Sequence, residues 1–410
     1  MRFQMISKRI KKALEGSSAI RAMFVEGKEM AARYGAENVY DFSLGNPAAL
    51  PPAALNQAIR ELTIESDAWE EGAQALHGYM ENAGHAGVRQ AIAENLNERF
   101  GTNFSAHNLI MTVGAAGALN IIFQTLLDPE DEVLVFAPFF GEYRQYAENF
   151  HAKLVVVQPD FETFEPDLAD LEKKISEKTR IVLINTPNNP TGVIYKPETL
   201  KAIAAILERG QQKYGADIYL VSDEPYRELV YDGAAEDFLT NYYRNTIVAY
   251  SFSKSLSLPG ERIGYVAVPD EASDAEALIR GMEIANRTLG FVNAPSLMQK
   301  AVARCLSEKA DVEFYNKNRV ALYEYLTELG FTCIKPEGAF YLWVKSPLER
   351  EEDFIGEAKK LHILLVGGSA FGCLGYVRLA YCVSHETVKN SRKAFAALAE
   401  VCLGRKTFGR

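Results

Sequence analysis

From about residue 50 to residue 310, short apolar runs alternate with stretches whose apolar residues return at helical spacing. That alternation is what a mostly parallel sheet with helical crossovers requires. Seven runs read as strands: 109–113, 132–136, 153–157, 180–185, 218–221, 246–250 and 262–268. Six are short β-rich runs suited to a sheet core, whereas 262–268 alternates more and is expected at an edge or running antiparallel. After 113, Leu119, Ile122, Phe123 and Leu126 mark a helix opened by Gly114. Beyond about residue 310 the pattern changes. A helix carrying Leu322, Leu326 and Leu329 stops at Gly330, and two short strands, FTCIK and FYLWV, flank PEGA. A helix over 351–361, the segments ILLVGGSAFG and GYVRLAYC, and a last helix from about Glu386 complete the chain. The fold class is α/β: a large domain with a mostly parallel seven-stranded sheet covered by helices, plus a smaller α+β domain whose boundary falls within a helix near residue 310. No internal repeat, low-complexity tract or long linker interrupts it.

Composition narrows the function. A chain of 410 residues with 48% apolar content can bury a large core and divide into two domains. Its net charge of −10 argues against nucleic acid or an anionic membrane as the main partner. The five cysteines form no CxxC pair and no dense disulfide spacing, which fits a reducing cytoplasm. The six histidines are scattered, so no metal site is expected. The basic start, MRFQMISKRIKKALEGS, lacks the apolar core of a signal peptide, and no run approaches the roughly 20 apolar residues that span a bilayer.

Three segments carry candidate chemistry. In SFSKSLSLPGERIG, Lys254 follows a buried run, where a partly desolvated amine can be neutral enough to form a Schiff base. Ser251 and Ser253 supply hydroxyls, Arg262 a two-pronged donor suited to phosphate, and Pro259 with Gly260 turns the chain back. In SDEPYRELVYDG, Asp223 to Tyr226 fall just past the end of a strand, the edge at which open α/β sheets bind ligands. A carboxylate there can pair with a protonated pyridine nitrogen; the competing reading is a helix-capping Asp beside a packed Tyr. In RIVLINTPNNPTGVIY, a strand breaks into a Pro and Gly turn that exposes Asn189, or forms only a tight loop. A fourth segment, TVGAAGALN, leaves the amides of Gly114, Ala115 and Ala116 uncovered, either to seat a phosphate or to let helix and sheet pack closely.

Taken in order, LGNPA, NNPTG, SDEPY, SFSK with PGERIG, and GYVRLAYC resemble the class I/II aminotransferases among the fold-type-I pyridoxal-phosphate enzymes, over most of the chain. The resemblance implies pyridoxal 5'-phosphate as cofactor, linked to Lys254, with Asp223 on the pyridinium nitrogen and Asn189 and Tyr226 on the ring hydroxyl. It places Ser251, Ser253, Arg262 and the Gly114, Ala115 and Ala116 segment around the phosphate. Phe140 falls where these enzymes stack an aromatic on the cofactor, a role Phe139 or Tyr143 could also fill. Tyr79 matches a tyrosine that reaches the phosphate of a second subunit, which implies a homodimer. Arg378, with Asn189 and the Gly45 backbone, would hold the substrate α-carboxylate. The implied organisation is an arm over residues 1–15, a large domain over 48–310, and a small domain from 16–47 and 311–410.

The implied activity is ping-pong transfer of an amino group from aspartate or another common amino acid to a 2-oxo acid such as 2-oxoglutarate. Lys254 serves as the base at Cα, and Asp223 keeps the pyridine nitrogen protonated. A carbon–sulfur β-lyase on the same scaffold is the alternative. A transcription regulator built on such a body is disfavoured, because few residues precede FSLGNPA and they lack a helix-turn-helix pattern. Arg287 is a candidate for a second, dicarboxylate-binding arginine. Gly367 departs from the proline many relatives carry.

Overall fold

The computed structural model describes residues 6–7, 10–11, 19–67, 72–234 and 237–404, so most of the expected arm over residues 1–15 lies outside the described residues. The chain forms two compact units, one from residues 1–46, 315–336 and 340–410, the other from 47–314 with 337–339.

The smaller unit opens with the helix Ala19–Tyr34 and the short strand β1 (Tyr40–Asp41). The larger unit is built on seven strands: β2 (Leu109–Thr112), β3 (Glu132–Phe136), β4 (Lys153–Val157), β5 (Thr179–Asn185), β6 (Tyr219–Asp223), β7 (Thr246–Ser251) and β8 (Gly264–Ala267). Their order across the sheet is β2-β8-β7-β6-β5-β3-β4. Only β8 runs against its neighbours, pairing antiparallel with both β2 and β7. The antiparallel expectation for this segment holds, but the strand is interior rather than at an edge, because β2 and β4 take the two edges.

Both faces of the sheet are buried, which is why its strands read as near-continuous apolar runs. The side chains alternate face by face. Ile110, Ile247, Ala249 and Val266 join one core with Leu119, Ile122 and Phe123 of the helix Gly114–Leu126 and with Leu278 and Met282 of the helix Ala275–Thr288. Leu109, Met111, Val248, Tyr250, Tyr265 and Ala267 point the other way, into a second core with Leu55 and Leu62 of Ala53–Asp67, Ile92 and Leu96 of Ala86–Phe100, and Met298 and Val302 of Ser296–Ala303. Each fully buried aliphatic side chain contributes about 1.5–3 kcal/mol. The helix Pro197–Tyr214, with proline in its first turn and Gly215 as a left-handed C-cap, connects β5 to β6.

The helix Val312–Leu329 contains the unit boundary between Phe314 and Tyr315. The smaller unit then adds β9 (Cys333–Ile334), β10 (Tyr341–Lys345), β11 (Ile363–Leu364), β12 (Val366–Gly367) and β13 (Tyr376–Ala380). Four of them form an antiparallel sheet in the order β12-β13-β10-β9, and β11 pairs in parallel with β1. The helices Glu351–Lys360 and His385–Leu403 belong to the same unit. Among the described residues no helix is long and apolar enough to cross a membrane.

Candidate active site

In the larger unit, the C-terminal ends of β5, β6 and β7 lie side by side, with Asn185 opposite Asp223 and Asp223 opposite Ala249. Parallel pairing therefore brings NNPTG, SDEPY and SFSK, far apart in sequence, to one edge of the sheet. Ligands bind at that edge in open α/β sheets.

One end of this edge is a cradle of donors. The Ser251 hydroxyl caps the single turn Phe252–Ser255 by accepting the Ser253 amide at 3.2 Å, and the two serine hydroxyls are 2.8 Å apart. Lys254 is half-buried in that turn. Arg262 holds a left-handed φ of 52°, uncommon for a residue with a side chain. Its guanidinium donates to the carbonyls of Pro259 at 3.0 Å and Val113 at 3.2 Å, and reaches the Ser253 hydroxyl at 3.5 Å. Gly114 is required where these strands meet: its φ is +75°, and a Cβ there would lie 2.8 Å from Arg262 Nη2. Val113 offers no side-chain cap to the helix Gly114–Leu126, so the first-turn amides of Gly114, Ala115 and Ala116 keep their donors for a ligand.

The other end is dry. Asp223 is 5% exposed and ends β6. The chain then runs through turns rather than a helix, which removes the helix-capping reading of this residue. Its Oδ2 accepts from the Tyr143 hydroxyl at 2.5 Å, and its Oδ1 has no hydrogen-bond partner although it is buried. Burial pushes the Asp223 carboxyl up to about 7; the Tyr143 hydrogen bond opposes that rise and the Glu224 charge adds to it. Asn185 ties the loop together by donating to the Asp223 carbonyl at 2.9 Å and accepting the Asn189 amide at 2.8 Å. Asn189 is 5% exposed, so the turn buries it instead of exposing it. Asn188 forms the turn itself, its side-chain oxygen accepting from the Thr191 amide and hydroxyl. Tyr226 is buried nearby in sequence, on the turn that follows Asp223.

The aromatic candidates separate clearly. Phe139 is buried in the core and Phe140 is half-buried, which leaves Phe140 as the ring available for stacking. Tyr143 is only 1% exposed and is a hydrogen-bond donor to Asp223, so it does not fill the stacking role considered for it. Sequence reasoning missed that bond because its partners are 80 residues apart. It also missed the polar layer behind the strand ends. There, Glu224 is ion-paired with Arg227, whose guanidinium lies 4.5 Å from the Tyr250 ring and 5.0 Å from the Phe238 ring. Burial raises the Glu224 carboxyl, opposed chiefly by the Arg227 charge. The sequence signal for this layer was the run of charges in SDEPYRE, which reads as surface until the turn is placed inside.

Tyr79 is 96% exposed at the tip of a pinned loop. Lys300 donates to the Ala75 carbonyl at 2.8 Å, Ser296 to Leu76 at 2.5 Å and Asn293 to Glu81 at 2.9 Å, while Gln299 accepts the His85 amide at 2.9 Å. Arg287 is exposed at the end of the helix Ala275–Thr288.

In the smaller unit, Arg378 lies on the central strand β13 and is 2% exposed. Its guanidinium is 4.5 Å from the Tyr341 ring and 4.7 Å from the Phe371 ring, and it donates to the Ser43 carbonyl at 2.6 Å. The Tyr341 hydroxyl packs against Gly45, where a Cβ would collide with it. Gly367 has a local cause: a Cβ there would lie 2.6 Å from Glu351 Oε1, the carboxylate that receives the amides of Ser369 and Gly375.

The residues of the larger unit fit a phosphorylated pyridine aldehyde. The cradle offers an arginine, hydroxyls and open amides to a phosphate, and the orphaned Asp223 oxygen calls for a buried cationic N–H donor.

Comparison with known proteins agrees. The family model described as aminotransferase class I and II matches residues 36–395. The chain is 32% identical over 334 residues to the aspartate/prephenate aminotransferase of Thermus thermophilus, covering 79% of this chain and 84% of that protein. A crystal structure of an amino transferase from Eubacterium rectale superposes with a TM-score of 0.93 at 46% identity, covering 97% of this chain and 100% of that one. The aspartate aminotransferase of Thermus thermophilus with maleate gives a TM-score of 0.85 at 27% identity, with the same coverage.

Proposed function

This chain belongs to the class I and II aminotransferases, pyridoxal-phosphate enzymes of fold type I, and from that premise we propose that it moves the amino group of aspartate or a related amino acid to 2-oxoglutarate. The observation that carries the reading is the buried Asp223 oxygen left without a partner, on the same sheet edge as a half-buried lysine and an uncapped helix N-terminus. When bound, the cofactor supplies an aldehyde for the substrate amine and a protonated pyridine that draws electrons from Cα.

The chain supplies everything else. Lys254 would supply the amine that holds the aldehyde and the base that moves the proton at Cα. Asp223 in its ionised form holds the ring N–H, and Asn189 and Tyr226 donate to the ring oxygen. Ser251, Ser253, Arg262 and the amides of Gly114, Ala115 and Ala116 grip the phosphate, while Phe140 stacks on the ring face. Arg378, 4.5 Å from the Tyr341 ring and 4.7 Å from the Phe371 ring, would bind the α-carboxylate, with Gly45 of the same unit assisting. Tyr79, exposed on a rigid loop, reaches the phosphate of a second copy, so the working form is a homodimer. The choice of aspartate rests on the activity for which the Thermus relative is named and on maleate, the dicarboxylate that accompanies the Thermus aspartate aminotransferase structure. None of the five cysteines is in a disulfide, which suits the reducing cytoplasm.

The test is to add single amino acids and then 2-oxoglutarate to the loaded enzyme while following the cofactor's visible absorption. Loss of the band with aspartate and its recovery with 2-oxoglutarate supports the proposal. Steady release of pyruvate and ammonia from a cysteine conjugate, with no recovery step, would instead establish the β-lyase.

A further inference from the structure

We propose that Tyr143 is a positioning residue for the cofactor's ring end: its hydroxyl, bonded to Asp223 Oδ2, favours the ionised carboxylate and aims the free Oδ1 at the pyridine nitrogen. The proposal rests on the reading of Asp223 given above and extends it to a residue that acts through Asp223.

The geometry assigns the two oxygens different jobs. Oδ2 receives a short bond of 2.5 Å from a phenol that is itself 1% exposed, and Oδ1 is buried with no protein donor. A phenol that far from water stays protonated: burial, and then the Asp223 charge, push its ionisation well above the ordinary tyrosine range. It is therefore a permanent donor at this position. A carboxylic acid needs to accept on only one oxygen, whereas a carboxylate needs donors on both, so a fixed donor on Oδ2 favours the charged form.

The surroundings otherwise work against ionisation. Burial and the Glu224 charge both raise the Asp223 carboxyl, and Tyr143 is the side chain that lowers it. The other ionisable groups facing this pair are Tyr226 and Tyr146, which add to the rise at Tyr143, while Arg262 lies farther along and acts on Tyr146. The Tyr143 ring is also locked, stacked 13° from parallel with Phe139 at 6.5 Å and edge-on to Phe140 at 5.6 Å. The ring proposed to stack on the cofactor and the phenol that orients its acid partner are thus packed as one unit.

The experiment compares wild type with Tyr143→Phe, using Tyr146→Phe as a control on the same helix. In the apoprotein, infrared difference spectra assigned with Asp223→Asn report protonation of the carboxyl. We expect Tyr143→Phe to raise its titration midpoint by roughly one to two pH units. In the loaded enzyme, the alkaline pH at which the ring nitrogen loses its proton, read from the cofactor's absorption, falls by a similar amount. An unmoved midpoint in a folded Tyr143→Phe protein, or an equal shift in Tyr146→Phe, overturns the proposal. If Tyr143→Phe does not fold, a fluorinated tyrosine at position 143, which keeps the shape and donates more strongly, should lower the midpoint; no change there overturns the proposal equally. If wild type forms no cofactor band at all, the reading of Asp223 has failed, and the infrared midpoint still decides whether Tyr143 controls the carboxyl.

Discussion

The two ends of the sheet edge in the larger unit handle charge in opposite ways. At the proposed phosphate end, Arg262 is exposed to solvent and stands with two serine hydroxyls and the first amides of an uncapped helix. At the ring end, Asp223 is buried, has one donor on one oxygen and none on the other, and sits beside a second buried carboxylate. Redundant donors share a load, so losing one costs affinity in small steps. A single desolvated carboxylate cannot be replaced by water, and losing it costs the chemistry. In the proposed function, the phosphate end anchors the cofactor and the ring end sets the proton on which catalysis depends.

Substitutions sharpen that contrast. Lys254→Ala, in the turn beside the two serines, is expected to lower turnover by about 10⁴-fold while leaving cofactor binding partly intact, since the serines, Arg262 and the backbone amides are untouched. Full activity in that variant, measured by coupled assay, would remove the central residue of the proposed chemistry. Asp223→Asn should cost about 10²–10³-fold in kcat, the scale of losing one preorganised electrostatic partner. Its cofactor affinity, followed by equilibrium dialysis, should change far less than its turnover; the reverse order would break the division of labour.

Stability against pH probes the ring end without any cofactor. Asp223 keeps its proton to about 7 in the folded apoprotein, against 3.8 for the free side chain. Between those values the folded state binds more protons than the unfolded state, so this group's contribution is full below about pH 4 and is lost as pH rises towards 7. The loss is on the order of 4 kcal/mol, and urea denaturation of Asp223→Asn apoprotein should show a flatter profile over that window. An identical slope in both proteins would contradict the buried-acid picture.

Arg262→Gln should weaken cofactor binding by roughly 10- to 100-fold, the value of a charge-assisted pair, with kcat at saturating cofactor within tenfold of wild type. Ser253→Ala should weaken it only a few-fold, because a neutral hydrogen bond contributes about 1 kcal/mol and its neighbours remain. Isothermal titration would rank the two, and a larger effect for the serine would refute shared loading.

Much of this arrangement was legible in the chain. The apolar runs located the seven strands because a sheet covered on both faces buries every position, and the turn residues after β5, β6 and β7 marked the ligand edge. What sequence could not show was distance across the fold. The bond from Tyr143 to Asp223 joins the start of a short helix to the end of β6, and no local pattern encodes it. The burial of Asn189 follows from Asn185 reaching over the turn, and the interior place of β8 follows from its pairing with two strands at once. Gly367 read as a departure from a common proline, yet its cause is the Glu351 carboxylate from a helix earlier in the same unit.

In the proposed function, Lys254, in the turn Phe252–Ser255, is the amine that engages the cofactor. The direct test is to load the protein with pyridoxal 5'-phosphate, reduce it with borohydride, and map the modified peptide by mass spectrometry. The expected result is a single phosphopyridoxyl group on Lys254. A label on any other lysine, or none under conditions where the cofactor is bound, would contradict it.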